Sequence, residues 1–86
     1  MMEQTKTITV YSTSTCPYCM MAKHLLGAKG AEITEINVGA DAGQMQHMMA
    51  RSGRRTVPQI FIGDLHVGGY DDLLVLDRQG KLEAML

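Results

Sequence analysis

Among its 86 residues the chain has only two cysteines, no apolar run approaching a bilayer span, and a formal net charge of −1. A membrane-crossing helix needs about 20 consecutive apolar residues, so no such helix is expected. Without a basic stripe or a charge run, the electrostatic footprint of a nucleic-acid or anionic-membrane partner is missing. No internal repeat, low-complexity stretch or linker divides the chain, so residues 1–86 read as a single domain with one modest core. The first six residues, MMEQTK, lack the hydrophobic segment of a signal peptide, and a cytoplasmic setting is expected. In that compartment two cysteines are more naturally catalytic or metal-binding than a structural staple.

What is present is concentrated in Thr15-Cys16-Pro17-Tyr18-Cys19. Two intervening residues let one helical turn bring the two sulfurs within disulfide reach. With Cys16 capping a helix that starts at Pro17, its sulfur meets unpaired backbone N–H groups and the positive end of the helix dipole. Both favour the thiolate, which is the nucleophilic form. Cys19, one turn further on, is placed to attack a mixed disulfide formed on Cys16 and release the partner. The segment therefore predicts a reversible dithiol–disulfide exchanger.

The surrounding sequence places this pair. Lys6 to Tyr11 is β-branched and aromatic, with Ile8 and Val10 on one face, and predicts a strand. Pro17 to about Lys29 predicts a helix ended by Gly30, with Tyr18, Cys19, Ala22, Leu25 and Leu26 on one flank and Met20, Lys23, His24 and Gly27 on the other. Ile33 to Val38 predicts a second strand, and Gly39-Asp41 opens a helix through Arg51 in which Met45, Met48 and Met49 pack onto the sheet. Val57 to Ile62 is a third strand with a proline near its start. The hairpin signal Gly63-Asp64 leads to Leu65-His66-Val67. Gly68-Gly69-Tyr70 breaks the chain, and Asp71-Asp72 opens a last helix, with Asp71 a fair cap. The order β-α-β-α-β-β-α predicts an α/β fold, a four-stranded mixed sheet flanked by three helices.

CPYC after strand one, TVPQIFIG at strand three and GGYDDL before the last helix closely resemble the glutaredoxins, in particular their small bacterial dithiol type. The resemblance runs from about Thr7 to Leu82. It implies the thioredoxin-like fold and a glutathione-dependent thiol–disulfide oxidoreductase, with Cys16 as nucleophile and Cys19 as resolving thiol. It further implies a cis bond before Pro58 and a glutathione groove lined by Tyr18, Thr56, Val57, Pro58, Gly69, Tyr70 and Asp71. Glutathione is then a reducing co-substrate, with no permanently bound cofactor. The implied partners are disulfide-containing or glutathionylated proteins, ribonucleotide reductase among them, and the expected state is a monomer. Chemistry agrees at the last helix, whose free N–H groups suit the γ-glutamyl carboxylate, while Asp71 suits the ammonium. One position departs from the pattern. Relatives often carry a lysine three residues before the first cysteine, where this chain has Thr13, and Arg55 is the expected substitute charge.

Other readings compete. Two thiolates are half of a tetrahedral zinc site, and a binding module carrying a metal or an iron–sulfur cluster is the alternative function. His24, His47 and His66 show no ligand spacing and read as ordinary surface residues, so no metal ligand is assigned. Pro17 between the cysteines also weighs against a bridging cluster.

Overall fold

A computed structural model describes residues 7–86, which form β1 (Ile8–Ser12), α1 (Pro17–Ala28), β2 (Ile33–Asn37), α2 (Ala42–Ser52), β3 (Gln59–Ile62), β4 (Leu65–Gly68), α3 (Tyr70–Arg78) and α4 (Leu82–Met85). All seven expected elements are present. Lys6, expected to start the first strand, and the leader reading of MMEQTK lie outside the described residues. The third strand starts at Gln59 rather than Val57, since Pro58 has no N–H to give to a ladder. The short α4 is an addition. Four residues are too few to show a helical period, and α4 is secured by its fully buried Leu82.

The sheet order is β2-β1-β3-β4, with β1 parallel to β2 and antiparallel to β3, and β3 antiparallel to β4. Side chains alternate across a strand, and here both faces are covered. Ile8, Val10, Ile60 and Ile62 point to one side and pack with Ala22 and Leu26 of α1, Leu73 of α3 and Leu82. Tyr11 and Phe61 point to the other and pack with Val38 and with Met48 of α2. Met48 is fully buried and Met45 and Met49 pack beside it, as the methionine spacing predicts. The core is thus two layers of unequal size on either side of one sheet.

Two helix starts are set locally. Asp41 caps α2 by accepting from the N–H groups of Gly43 and Gln44 at 2.9 and 3.2 Å. At α3 the Asp72 carboxylate reaches back to the Gly69 N–H at 2.9 Å. That contact requires a glycine before it. A Cβ on Gly68 would lie 2.3 Å from Asp72 Oδ2, and Gly68 has φ +117, where L side chains are rare.

Gly68→Ala is therefore expected to destabilise the fold by about 2 kcal/mol or more, combining left-handed strain with loss of the Asp72 contact. Gly27→Ala is the opposite case. It lies inside α1 with nothing within 4 Å of the added Cβ, and should stabilise by about 0.5–1 kcal/mol. Urea unfolding midpoints of the two variants, measured against wild type, check both signs.

Candidate active site

The register of the sheet brings distant segments to one end. Tyr11 near the end of β1 pairs with Gln59 at the start of β3, and Ile60 pairs with Gly68 at the end of β4. The turn carrying Cys16, the segment Thr56-Val57-Pro58 and the Gly69-Tyr70 start of α3 therefore all leave the sheet at that end. Such strand ends are where open α/β sheets place their sites.

Cys16 is the N-cap of α1, and its Sγ accepts the backbone N–H of Cys19 at 3.1 Å. Pro17 follows at the first helical position, where its missing N–H costs nothing. The Cys16 sulfur also lies 3.9 Å from the Val57 carbonyl oxygen, toward which a thiol proton would donate. Cys16 is half-buried and Cys19 fully buried, and both are free thiols. Burial, reinforced by a hydrogen bond to Cys16, pushes the Cys19 thiol up to about 12. One sulfur is thus accessible and held by a helix end, and its neighbour is kept protonated. The Val57–Pro58 peptide bond is cis, as the resemblance implies.

Beside Cys16 runs a groove of about 230 Å³. Its walls include Tyr18 from α1, Thr56, Val57 and Pro58 from the segment before β3, and Gly69, Tyr70 and Asp71 from the start of α3. All seven residues expected there are brought together. The rings of Tyr18 and Tyr70 face each other with centroids 6.2 Å apart. Tyr18 does not join the apolar flank of α1 and remains 58% exposed, a wall available to a ligand.

Two lining residues were not anticipated, Arg54 and Asp72. Arg54 Nη1 donates to Asp72 Oδ2 at 3.2 Å, so the groove holds a cation tied to the helix start. Arg55, the expected source of charge, is not among the lining residues. The doubled arginine was a usable signal, but a loop gives no period from which to choose between neighbours. Asp71 is likewise not the cap. Gly69 occupies the N-cap position and Asp72 makes the reaching contact. Asp71 remains exposed and, among the described residues, in no ion pair.

His66 also differs from expectation. It is half-buried, its ring stacks on Phe61 at 4.8 Å, and its Nε2 lies 2.7 Å from Gln59 Oε1. Burial, with Arg54 and Arg51 nearby, holds its pKa below 6.5, which keeps the ring neutral at pH 7. Among the described residues no three His, Cys, Asp or Glu side chains gather as a metal site. None of the described helices is long and apolar enough to cross a membrane.

Comparison with known proteins places these features in a family. A sequence model of the family described as Glutaredoxin matches residues 8–67. Glutaredoxin 3 of Escherichia coli is 47% identical over 79 residues, covering 92% of this chain and 95% of that protein. The solution structure of glutaredoxin from Brucella melitensis superposes with a TM-score of 0.86 at 48% identity, covering 98% of this chain and 91% of the other. A buckwheat glutaredoxin–glutathione complex gives a TM-score of 0.86 at 33% identity, covering 94% and 76%.

The Asp72 contacts set an acid limit. The Gly69 N–H, followed by Arg54, holds the Asp72 carboxyl below its ordinary 3.8. A depressed folded-state pKa contributes stability above the unfolded value, lost as pH falls through the folded one. Asp72→Asn keeps an oxygen for Gly69 and removes only the charge. The melting-temperature gap between wild type and Asp72→Asn should be open at pH 7 and close below about pH 4. Thermal unfolding across that range is the check, and a gap independent of pH would contradict the assignment.

Proposed function

On the premise that this chain belongs to the glutaredoxin family, we propose that Cys16 is its nucleophile, Cys19 its resolving thiol, and the adjoining groove its glutathione site. As a glutaredoxin it is a glutathione-dependent thiol–disulfide oxidoreductase. The observation that carries the assignment of roles is the contrast between the two sulfurs. One is accessible at a helix N-terminus and accepts the Cys19 N–H at 3.1 Å; the other is buried and pushed up to about 12.

In deglutathionylation, the Cys16 thiolate attacks the glutathione sulfur of a mixed disulfide. The substrate sulfur leaves as a thiolate and takes up a proton, and glutathione stays bonded to Cys16. A second glutathione thiolate attacks that glutathione sulfur, releasing oxidised glutathione and restoring the Cys16 thiolate. With a protein disulfide, Cys16 becomes bonded to one protein sulfur instead. Cys19 then attacks the Cys16 sulfur, its proton passing to the departing protein thiolate, and the Cys16–Cys19 bridge closes. Two glutathione molecules reopen it.

The causes of the Cys19 shift order these steps. Burial is the largest, but the hydrogen bond to Cys16 and the Cys16 charge add to it. The charge is gone once Cys16 is bonded to a partner, and the hydrogen bond then meets only an uncharged, weaker acceptor. Cys19 thus stays protonated while Cys16 attacks and becomes easier to ionise when its turn comes.

For glutathione itself, the backbone of Val57, beside the Cys16 sulfur, is the edge for the cysteinyl residue. The N–H groups at the start of α3 take the γ-glutamyl carboxylate and Asp71 its ammonium. Arg54 supplies the positive charge for the glycyl carboxylate. Support for such an occupant comes from the buckwheat glutaredoxin–glutathione complex, whose fold this chain shares. We read the 86 residues as one such domain, acting as a monomer in the cytoplasm on disulfide-containing or glutathionylated proteins, with ribonucleotide reductase a candidate substrate.

Cys16→Ser is expected to abolish all activity. Cys19→Ser should keep glutathione-coupled reduction of a small glutathione mixed disulfide and lose reduction of protein disulfides; loss of both activities would refute the division of roles. In the same assay Arg54→Ala should raise KM for the glutathionylated substrate about five- to tenfold, and Arg55→Ala should leave it unchanged.

A further inference from the structure

We propose that Gln59 and His66 are positioning residues for the glutathione groove, a hydrogen-bonded relay that fixes Thr56 at the groove wall from beneath. The proposal rests on the reading of that groove as the glutathione site. It starts from an oddity in β3, where Gln59 is fully buried at the head of the otherwise apolar run Ile60-Phe61-Ile62. Packing alone would be served by an aliphatic residue. A buried amide costs free energy unless both of its ends are paired.

Both ends are paired, to different parts of the molecule. Gln59 Nε2 donates to the Thr56 carbonyl at 2.9 Å and to the Thr56 hydroxyl at 3.2 Å. Gln59 Oε1 lies 2.7 Å from His66 Nε2. The Thr56 carbonyl can only accept, so the amide must turn its nitrogen toward Thr56 and its oxygen toward His66. Nε2 of the neutral His66 ring must then carry the proton. A flip of the amide would set two oxygens against each other and leave the ring N–H facing an NH2 group. The Thr56 carbonyl thus selects the amide orientation, and His66 braces it from the other end by donating to Oε1.

The ring itself is not free to turn. It stacks on Phe61 at 4.8 Å with planes 29° apart, and the Arg51 guanidinium lies 3.9 Å from the Phe61 centroid. Phe61 in turn meets Tyr11 edge-on at 5.8 Å. The far end of the relay is therefore anchored in the α2-side core, and the near end in an exposed residue. Thr56 immediately precedes Val57, whose carbonyl faces the Cys16 sulfur. Releasing Thr56 would let that wall wander and weaken ligand binding without altering either sulfur.

The test is steady-state reduction of a glutathionylated peptide by glutathione, with KM and kcat resolved, on Gln59→Met, His66→Phe and His66→Gln. Met keeps the volume of Gln59 without its hydrogen bonds, Phe at 66 keeps the stack without the donor, and Gln at 66 keeps a donor. Gln59→Met and His66→Phe are expected to raise KM about five- to tenfold with kcat within about twofold, the pattern of lost uniform binding. His66→Gln should return KM to near the wild-type value. Iodoacetamide labelling of Cys16 should run at the wild-type rate in all three, showing that the thiol site is intact. Unchanged KM in His66→Phe, or a His66→Gln variant as impaired as His66→Phe, would overturn the proposal. Asp71→Asn, which touches the groove directly, is measured alongside. If it raises KM and the relay variants do not, the relay alone fails; if it too leaves KM unchanged, the groove reading falls and the relay with it.

Discussion

The antiparallel pairing of β1 with β3 is the constraint on which the site depends. It sets Tyr11 opposite Gln59, so the end of one strand lies beside the beginning of the other. A parallel pairing would have sent the Thr56-Val57-Pro58 segment to the opposite end of the sheet from Cys16. The β3–β4 hairpin then reverses the chain once more and returns Gly69 and the start of α3 to the same place. Three stretches far apart in sequence become one wall, one floor and one reactive atom through strand direction alone. A one-residue slip in this register would turn Phe61 toward α1 and Ile60 toward α2, and the two dissimilar core layers resist it.

Within that frame the two sulfurs differ because their surroundings differ. Cys16 stands outside the first turn of α1, beside Val57 of the groove wall, while Cys19 stands one turn in, on the flank that also buries Ala22 and Leu26. Among the described residues no histidine or carboxylate hydrogen-bonds to the Cys16 sulfur, so no side-chain base sets the two thiols apart. Depth does that work instead. The outer sulfur receives the N–H of the inner residue, so the two are coupled before any substrate arrives.

Much of this was legible in the residues themselves. The helix start at Pro17 and the opening of α2 at Asp41 are local devices and lie where the sequence puts them. The groove residues were reached through motifs, and strand order brings all of them together. The misses share a physical cause. Whether Arg54 or Arg55 turns toward the groove, and whether Asp71 or Asp72 reaches the Gly69 N–H, depends on the exit direction of a loop and on the close approach of Gly68 to Asp72, neither of which has a sequence period. His66 looked like a surface residue because its partners, Phe61 and Gln59, become neighbours only when β4 folds against β3. Helix α4 was missed since four residues held by one leucine leave no pattern.

The unequal layers of the core divide the labour of the protein. The larger, beneath α1 and α3, supports the helix ends that bear the cysteines and the acidic start of α3. The smaller, beneath α2, is an aromatic and methionine cluster whose members Tyr11 and Phe61 connect through Arg51 and His66 to the far wall of the groove. Val57, whose carbonyl faces the Cys16 sulfur, packs against this smaller layer as well. The two layers thus meet the groove from opposite sides of a single sheet, the larger through Tyr70 and the smaller through Val57 and the Gln59–Thr56 hydrogen bonds.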